Sequence, residues 1–267
     1  MNLELKSPIN ERNGIHIPHE VTNLSLPFNG SFATTDGEEY LVTNNIIDMM
    51  GRKPEFASIA LRTNHWKITA SIYEDIWRKR SLSFLTGEDF PIEKEHELLI
   101  EWTQPKANGI YLDMGASTAL YARALKAAQP NAHIVALDFS MHMLAEARSK
   151  AEADQTDIYL VRADGREMPF FANTFHGIVM GGTLNELSHP AKVLYEINRV
   201  LKKEGCLFMM HLIQSNVWYV RLLQESASLG GIKFWTIDES NKLFKQSGFK
   251  VDKQITRGIV CFTKLVP

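Results

Sequence analysis

The sequence predicts an α/β fold in which a doubly wound, seven-stranded sheet ends in an antiparallel hairpin. Between about residues 105 and 211, short apolar runs alternate with amphipathic helical patterns. Such alternation is typical of parallel strands joined by right-handed helical crossovers, with helices on both faces of the sheet. After Gly248, two strand-like runs follow each other with only a turn between them. Strands joined so closely pair antiparallel.

Each predicted element carries its own local signal. Buried strands show as short apolar runs, and helices as longer stretches with apolar residues at helical spacing. Pro130 and Gly248 each follow the end of a predicted helix. The predicted strands are residues 109–113, 133–138, 158–164, 177–180, 206–211, 249–255 and 258–265. The predicted helices between them are residues 118–128, 141–153, 190–201 and 238–246.

We assign this α/β fold to residues 105–267. Two segments of different composition precede it. Residues 1–54 are rich in Asn, Thr, Gly and Pro with short apolar pairs between them, which predicts a small β-rich module. Residues 55–104 carry helical patterns, such as Ile72 and Ile76 four residues apart, and are predicted to form a helical cap or linker.

Composition excludes several classes of protein. Hydrophobic residues make up 45% and charged residues 22% of the chain, which is ordinary for a globular protein and argues against disorder. The net charge of -2 provides no overall positive field to hold nucleic acid. No run of about 18 apolar residues is present to span a membrane. The oligomeric state is left open.

The start of the chain and its thiols bear on location. The first residues lack the basic and then apolar pattern of a secretory signal. Cys206 and Cys261 are the only cysteines, too few for a disulfide framework or a structural zinc cluster. Two thiols in a long chain suit a reducing compartment. We therefore expect a soluble, cytoplasmic protein without a metal site.

Three acidic residues end successive predicted strands: Asp113, Asp138 and Asp164. Ligands of open α/β sheets bind at the carboxyl ends of the strands, where these acids should meet. Gly115 starts a turn into a helix, and Asp138 follows it by 23 residues, a spacing suited to an acid that accepts ribose hydroxyls. An acid on the third strand can accept the amine of an adenine. Ordinary turns, and a helix N-cap at Asp138 or Ser140, are the competing interpretations.

The order of these motifs resembles the class I S-adenosylmethionine-dependent methyltransferases, which have a Rossmann-like fold. The closest likeness is to the ubiquinone- and menaquinone-biosynthesis type and its plastid and cyanobacterial relatives, over about residues 105–267. Residues 28–50 look like the small zinc-ribbon module of some relatives, but the cysteines of that module are absent. The residues that carry the resemblance are 113–115, 136–140, 143–144, 161–164, 168–170, 196–202 and Gly205.

The resemblance implies S-adenosylmethionine as cofactor and a role for each matching residue. Asp113 would orient the cofactor's amino group, and Gly115 would let the backbone meet its methionine moiety. Asp138 would hold the ribose, and Asp164 would bind the adenine amine. Thr183 would lie beside the sulfonium. The whole cofactor-binding set is Asp113, Gly115, Ser117, Asp138, Phe139, Ala163, Asp164 and Thr183.

The turn after the first strand departs from the family pattern of three glycines. Ser117 and Ala119 stand at the second and third glycine positions. Ala119 is expected to begin a helix at little cost. Ser117 adds a side chain where backbone usually approaches the cofactor, and its hydroxyl could instead donate to the methionine carboxylate.

We expect methyl transfer to a small, apolar or aromatic acceptor. The sulfonium is already a strong electrophile, so alignment of the reactants carries much of the catalysis. His211 is the candidate general base, with His142 and Glu186 as alternatives, and a structural role is open for the histidines. Candidate acceptor contacts are the aromatic residues Tyr73, Trp77 and Trp218, whose helical spacing also fits core packing.

Other functions remain open on the sequence. A non-methylating protein on the same scaffold, either a cyclase-type enzyme that keeps the cofactor or a regulatory pseudoenzyme, draws support from the altered glycine turn. A nicotinamide-dependent oxidoreductase is disfavoured, because its fingerprint needs further glycines after Gly115.

Overall fold

The computed structural model describes residues 3–6, 14–17, 19–33, 39–50, 83 and 85–267. Its strands are β1 (Leu3–Lys6), β2 (Gly14–Ile17), β3 (Gly30–Ala33), β4 (Glu39–Thr43), β5 (Ile46–Asp48), β6 (Ile110–Met114), β7 (His133–Asp138), β8 (Tyr159–Arg162), β9 (Phe175–Gly181), β10 (Leu201–Leu212), β11 (Lys250–Arg257) and β12 (Val260–Val266). The helices are α1 (Ile92–Thr103), α2 (Leu120–Ala128), α3 (Met141–Ala153), α4 (Pro190–Val200), α5 (Trp218–Ser228) and α6 (Ile237–Gln246).

Seven strands of the central sheet follow the predicted topology. Their order is β11-β12-β10-β9-β6-β7-β8. Strands β6 to β10 pair in parallel, and β12 pairs antiparallel with both β10 and β11. Successive side chains of a strand lie on opposite faces of the sheet. In β6, Leu112 belongs to the apolar core on one face and Tyr111 to the core on the other. The predicted doubly wound sheet with a terminal antiparallel hairpin is confirmed.

The N-terminal strands lengthen this sheet to ten. β5 pairs in parallel with β8, with Ile47 opposite Val161, and β4 and β3 continue antiparallel. Ile46 and Ile47 are buried, so the apolar pair covers the edge of β8. The division of the chain at residue 54 stays a prediction, while β3 to β5 are continuous with the sheet. The predicted acceptor contacts Tyr73 and Trp77 lie outside the described residues.

Helix α5 lies after the carboxyl end of β10 and turns its apolar side outward. Trp218 and Leu223 are 78% and 68% exposed, whereas Gln224 is 6% exposed. The Gln224 amide holds the helix in place: Nε2 donates to the Ile213 carbonyl, and Oε1 accepts from the Ser215 N–H, both at 2.9 Å. No helix among the described residues is both long enough and apolar enough to cross a membrane.

Candidate functional site

A cleft lies at the carboxyl ends of strands β6 to β9. It encloses about 1040 Å³ of empty space, including part of the open solvent. Seven of the eight predicted cofactor-binding residues line this cleft. The remaining one, Asp113, lines a smaller pocket that shares Gly115, Ser117 and Gly181 with the cleft. The structure thus brings the predicted set together at one edge of the sheet. The seven members that line the cleft itself are Gly115, Ser117, Asp138, Phe139, Ala163, Asp164 and Thr183.

Asp113 anchors the helix that starts beside the cleft. Its side chain is 2% exposed, and Oδ2 accepts a hydrogen bond from the N–H of Ala122 at 2.9 Å. Ala122 lies in the first turn of α2, where backbone N–H groups have no partner within the helix. The carboxylate therefore fixes the start of α2 relative to β6.

The turn between β6 and α2 has three residues in the left-handed region. The φ angles are +67° at Gly115, +50° at Ser117 and +58° at Ala119. Left-handed backbone costs an L-residue about 1–2 kcal/mol, and glycine escapes this cost. The expectation that Ala119 is accommodated at little cost is therefore wrong, because Ala119 is the left-handed residue just before α2. All three positions at which the family pattern has glycine are thus left-handed here, although only residue 115 is a glycine.

Asp138 ties that turn to the next one. Oδ2 accepts from the Ser117 N–H at 2.8 Å, and Oδ1 accepts from the Ser140 N–H at 2.9 Å. Burial raises the pKa of Asp138 although these backbone hydrogen bonds oppose the rise. Of the two proposed N-caps for α3, the structure uses Ser140, whose Oγ accepts from the Met143 N–H at 3.3 Å.

Asp164 is paired with an arginine that the sequence interpretation missed. Nη2 of Arg166 lies 2.7 Å from Asp164 Oδ2, and both residues line the cleft. Burial alone would raise the pKa of Asp164, but the hydrogen bonds and charge of Arg166, with the charge of Lys192, lower it. A polar pair two residues apart in a loop has no periodic signal, so only the structure identifies this contact.

Gly115 and Thr183 face each other across the cleft. Thr183 Oγ1 donates to the Gly115 carbonyl at 3.3 Å. A Cβ at position 115 would lie 2.5 Å from Thr183 Oγ1, so only glycine fits here. Thr183 follows Gly182, which has a φ of +78° and turns the chain at the end of β9.

Asn185 holds the same loop in place through buried hydrogen bonds, and the sequence interpretation did not identify it. It is 2% exposed, and Nδ2 donates to the carbonyls of Leu212 (2.8 Å) and Lys233 (2.6 Å). Oδ1 accepts from the Leu212 N–H at 2.8 Å. One side chain thus joins the loop after β9, the end of β10 and the segment that follows α5.

The first candidate for the general base, His211, and the acceptor candidate Trp218 lie outside the cleft. His211 is fully buried beside Phe244, and neither of its ring nitrogens has a hydrogen-bond partner among the described residues. Burial lowers its pKa to about 4. His211 and His142 are not among the residues that line the cleft, whereas Glu186 is. Trp218 is exposed on α5, outside that lining.

Residues 112–209, which hold most of this cleft, match the family of the methyltransferase domain. The matched stretch begins at Leu112 in β6 and ends at Met209 in β10, within the predicted domain of residues 105–267. The resemblance found in the sequence is confirmed by this match.

Two curated relatives are similar to parts of this chain. An uncharacterised chloroplastic methyltransferase of Arabidopsis thaliana is 25% identical over 199 residues, which are 70% of this chain and 54% of the relative. A demethylmenaquinone methyltransferase of Listeria welshimeri is 36% identical over 89 residues, 33% of this chain and 38% of the relative. The chain thus spans about half or less of the length of these relatives.

Solved structures share the fold of the methyltransferase domain. A SAM-dependent methyltransferase of Aquifex aeolicus superposes with a TM-score of 0.56 at 19% identity, covering 75% of this chain and 97% of that one. At this identity the likeness concerns the fold.

Proposed function

We propose that this protein transfers a methyl group from S-adenosylmethionine. The observation that carries the proposal is the arrangement of Asp113, Asp138 and Asp164 at the carboxyl ends of three adjacent parallel strands, with Asp138 and Asp164 in the cleft and Asp113 in the smaller pocket beside it. Ligands of open α/β sheets bind at this edge. The match of residues 112–209 to the methyltransferase domain supports the same cofactor.

The residues of the cleft fit an adenosyl cofactor in their chemistry. The Asp138 carboxylate accepts backbone N–H groups through both oxygens, and its remaining lone-pair capacity would accept the ribose hydroxyls. Phe139 would cover the adenine, and Asp164 would accept its amino group. The N–H groups at the start of α2 would meet the methionine carboxylate. The glycine at position 115 leaves room where a Cβ would collide with Thr183.

The chain's part in the reaction is alignment, exclusion of water and removal of a proton. S-adenosylmethionine supplies an electrophilic methyl group when it is bound. Thr183 and Glu186 line the cleft on the loop after β9 and would border the acceptor. An acceptor whose hydroxyl is poorly ionised at working pH needs a base within hydrogen-bond reach to remove its proton. We propose Glu186 for this role, because Glu186 is among the residues that line the cleft, whereas His211 is fully buried and is not among them.

We propose a small apolar or aromatic molecule as the acceptor. Helix α5 supports this class, because it presents Trp218, Tyr219, Leu222 and Leu223 to solvent after the carboxyl end of β10, the edge at which the cleft opens. Met50 and Leu187 add apolar surface to the cleft. For the compartment we propose the cytoplasm. The two buried, unpaired cysteines suit any reducing compartment, a chloroplast stroma included.

The non-methylating alternative rests on the altered glycine turn, and the geometry of that turn weakens it. Ser117 takes the left-handed backbone of a glycine and still donates its N–H to Asp138. The turn is therefore intact in shape. A nicotinamide oxidoreductase has no further support beyond the sheet itself.

Calorimetry and a transfer assay test the proposal. The wild-type protein should bind S-adenosylhomocysteine and not NAD, and Asp138→Ala should weaken that binding about tenfold or more, since buried hydrogen bonds are lost. Asp154→Ala removes an exposed aspartate at the far end of α3 and is the matched control. Tritiated methyl transfer is then measured on phenols, quinones and carboxylic acids. Binding of NAD alone would overturn the proposal, and binding without any transfer would favour the non-methylating alternative.

A further inference from the structure

Asp164 is held at the cleft by three donors of one residue. The backbone N–H of Arg166 donates to Oδ1 at 2.8 Å, Nε lies 3.0 Å from both oxygens, and Nη2 lies 2.7 Å from Oδ2. A turn supports the pair, since the Glu167 N–H donates to the Asp164 carbonyl at 3.0 Å. The side chains of Asp164 and Arg166 are 33% and 23% exposed. The carboxylate is therefore oriented before any ligand binds.

This contact sets both the direction and the charge of the carboxylate. The terminal torsion of an aspartate is broad, so a lone side chain samples many orientations, and the arginine fork selects one. Burial raises the pKa of Asp164, and the hydrogen bonds and charge of Arg166, together with the charge of Lys192, more than offset this rise. An ionised carboxylate only accepts hydrogen bonds, whereas a protonated one also donates. A ligand group placed here must therefore be a donor.

We propose that Arg166 is a positioning residue that fixes Asp164 as an acceptor for the 6-amino group of the cofactor's adenine. The inference rests on the proposed function, because it names an adenosyl ligand. A 6-oxopurine would turn a carbonyl oxygen toward the same carboxylate. A site with a buried polar group strongly rejects a ligand that leaves this group without a hydrogen bond. An apolar pocket rejects a ligand of slightly different shape much less strongly.

Other charged groups surround the pair and must be held constant in a test. Lys192 on α4 lowers the pKa of Asp164 through its charge, and it pairs with Glu167 at 3.0 Å. His189 and Glu186 line the same cleft, and Asp138 lies on the neighbouring strand with a raised pKa. All of these remain when Arg166 is replaced, so the difference from wild type isolates the arginine.

A purely structural ion pair makes a different prediction. Partly exposed pairs contribute about 0–1 kcal/mol to stability, so loss of Arg166 would then lower the melting temperature slightly and leave ligand selectivity unchanged. Selectivity between a 6-amino and a 6-oxo base is the measurement that separates the two roles.

Titration calorimetry with S-adenosylhomocysteine and its deaminated analogue S-inosylhomocysteine, at pH 7.5 and 5.5, tests the proposal. Wild type should prefer the amino base by about 100-fold at both pH values. Arg166→Met should reduce that preference about tenfold. It should also lose more affinity for the amino base at the lower pH than wild type does, because loss of the Arg166 hydrogen bonds and charge raises the pKa of Asp164. Arg166→Lys should keep the pH profile but recover only part of the preference, since lysine lacks the planar fork. Lys192→Met, the control, should change the preference by no more than about twofold.

The outcomes distinguish this inference from the proposed function. If wild type does not bind S-adenosylhomocysteine, the proposed function fails and the inference fails with it. If wild type binds it and Arg166→Met keeps the full preference and pH profile, the inference alone is overturned.

Discussion

The backbone N–H of Ser117 donates a 2.8 Å hydrogen bond to Oδ2 of Asp138, 21 residues further along the chain. The same carboxylate accepts the N–H of Ser140 through Oδ1. A residue assigned to a ribose thus also fixes the turn after β6 relative to the turn after β7. Affinity and stability are coupled at this one side chain.

We expect Asp138→Asn to lower both properties. An amide can accept only one of the two N–H groups and presents its own donor to the other, which costs about 1–3 kcal/mol of unfolding free energy. Urea unfolding and calorimetry with S-adenosylhomocysteine measure the two effects, with Asp154→Asn as control. A variant that loses affinity and keeps full stability would show that the carboxylate does not hold the turn.

Ser117→Gly should stabilise the protein. Residue 117 has a φ of +50°, and removal of the left-handed cost of about 1–2 kcal/mol outweighs the added chain entropy of about 0.5–1 kcal/mol. Ser117→Ala keeps the Cβ and loses the hydroxyl, which donates only to Met143 Sδ at 3.5 Å, so it should not stabilise. Thermal unfolding of both variants separates backbone strain from the hydroxyl. Equal melting temperatures would argue against strain.

His211 should make the protein sensitive to acid. Its pKa falls from 6.5 to about 4 on folding, so the unfolded chain takes up a proton first as the pH drops. The unfolding free energy should therefore fall by about 1.4 kcal/mol per pH unit between pH 6.5 and 4, and be unaffected by His211 above that window. In His211→Leu this loss of unfolding free energy between pH 6.5 and 4 should be absent. Urea unfolding at several pH values measures it. The variant should also retain methyl transfer, and its complete loss would restore His211 as the general base.

The sequence predicted the cofactor side of the site better than the rest. Asp113, Asp138 and Asp164 were found because an apolar strand that ends in an acid is a local pattern, and parallel strands bring such ends together. His211 was misplaced relative to the cleft because residues 205–211 of β10 are buried on both faces, so no alternation tells which way a side chain points.

The remaining features depend on contacts that leave no local pattern. β5 pairs with β8 through three residues more than 100 positions away in the chain. Asn185 has its role only because the ends of β10 and of the α5 segment meet there. Helix α5 shows periodic apolar residues, but periodicity alone does not tell that this face is turned to solvent.

Asn185→Leu should destabilise the loop after β9. Three hydrogen bonds to backbone would be lost, and the carbonyls of Leu212 and Lys233 would be left without this donor, at a total of about 2–4 kcal/mol. Asn185→Asp keeps the shape and the acceptor for the Leu212 N–H but loses both donated bonds. It also places a carboxylate oxygen against the Leu212 and Lys233 carbonyls in a buried position, so we expect Asn185→Asp to be at least as unstable as Asn185→Leu in urea unfolding at neutral pH. Wild-type stability in the leucine variant would contradict the supporting role.

Gly115→Ala should impair the site through Thr183, and a double-mutant cycle can demonstrate the coupling. The new Cβ would lie 2.5 Å from Oγ1 and 2.6 Å from Cγ2 of Thr183, which forces the two elements apart. Two costs then combine: the collision, and the left-handed φ of +67°, which alanine tolerates poorly. In Gly115→Ala/Thr183→Ala both colliding atoms are gone, although the φ cost remains. We therefore expect the double variant to bind S-adenosylhomocysteine about tenfold more tightly than Gly115→Ala does, but more weakly than wild type. Strictly additive losses in calorimetry would show that the two residues do not meet in solution.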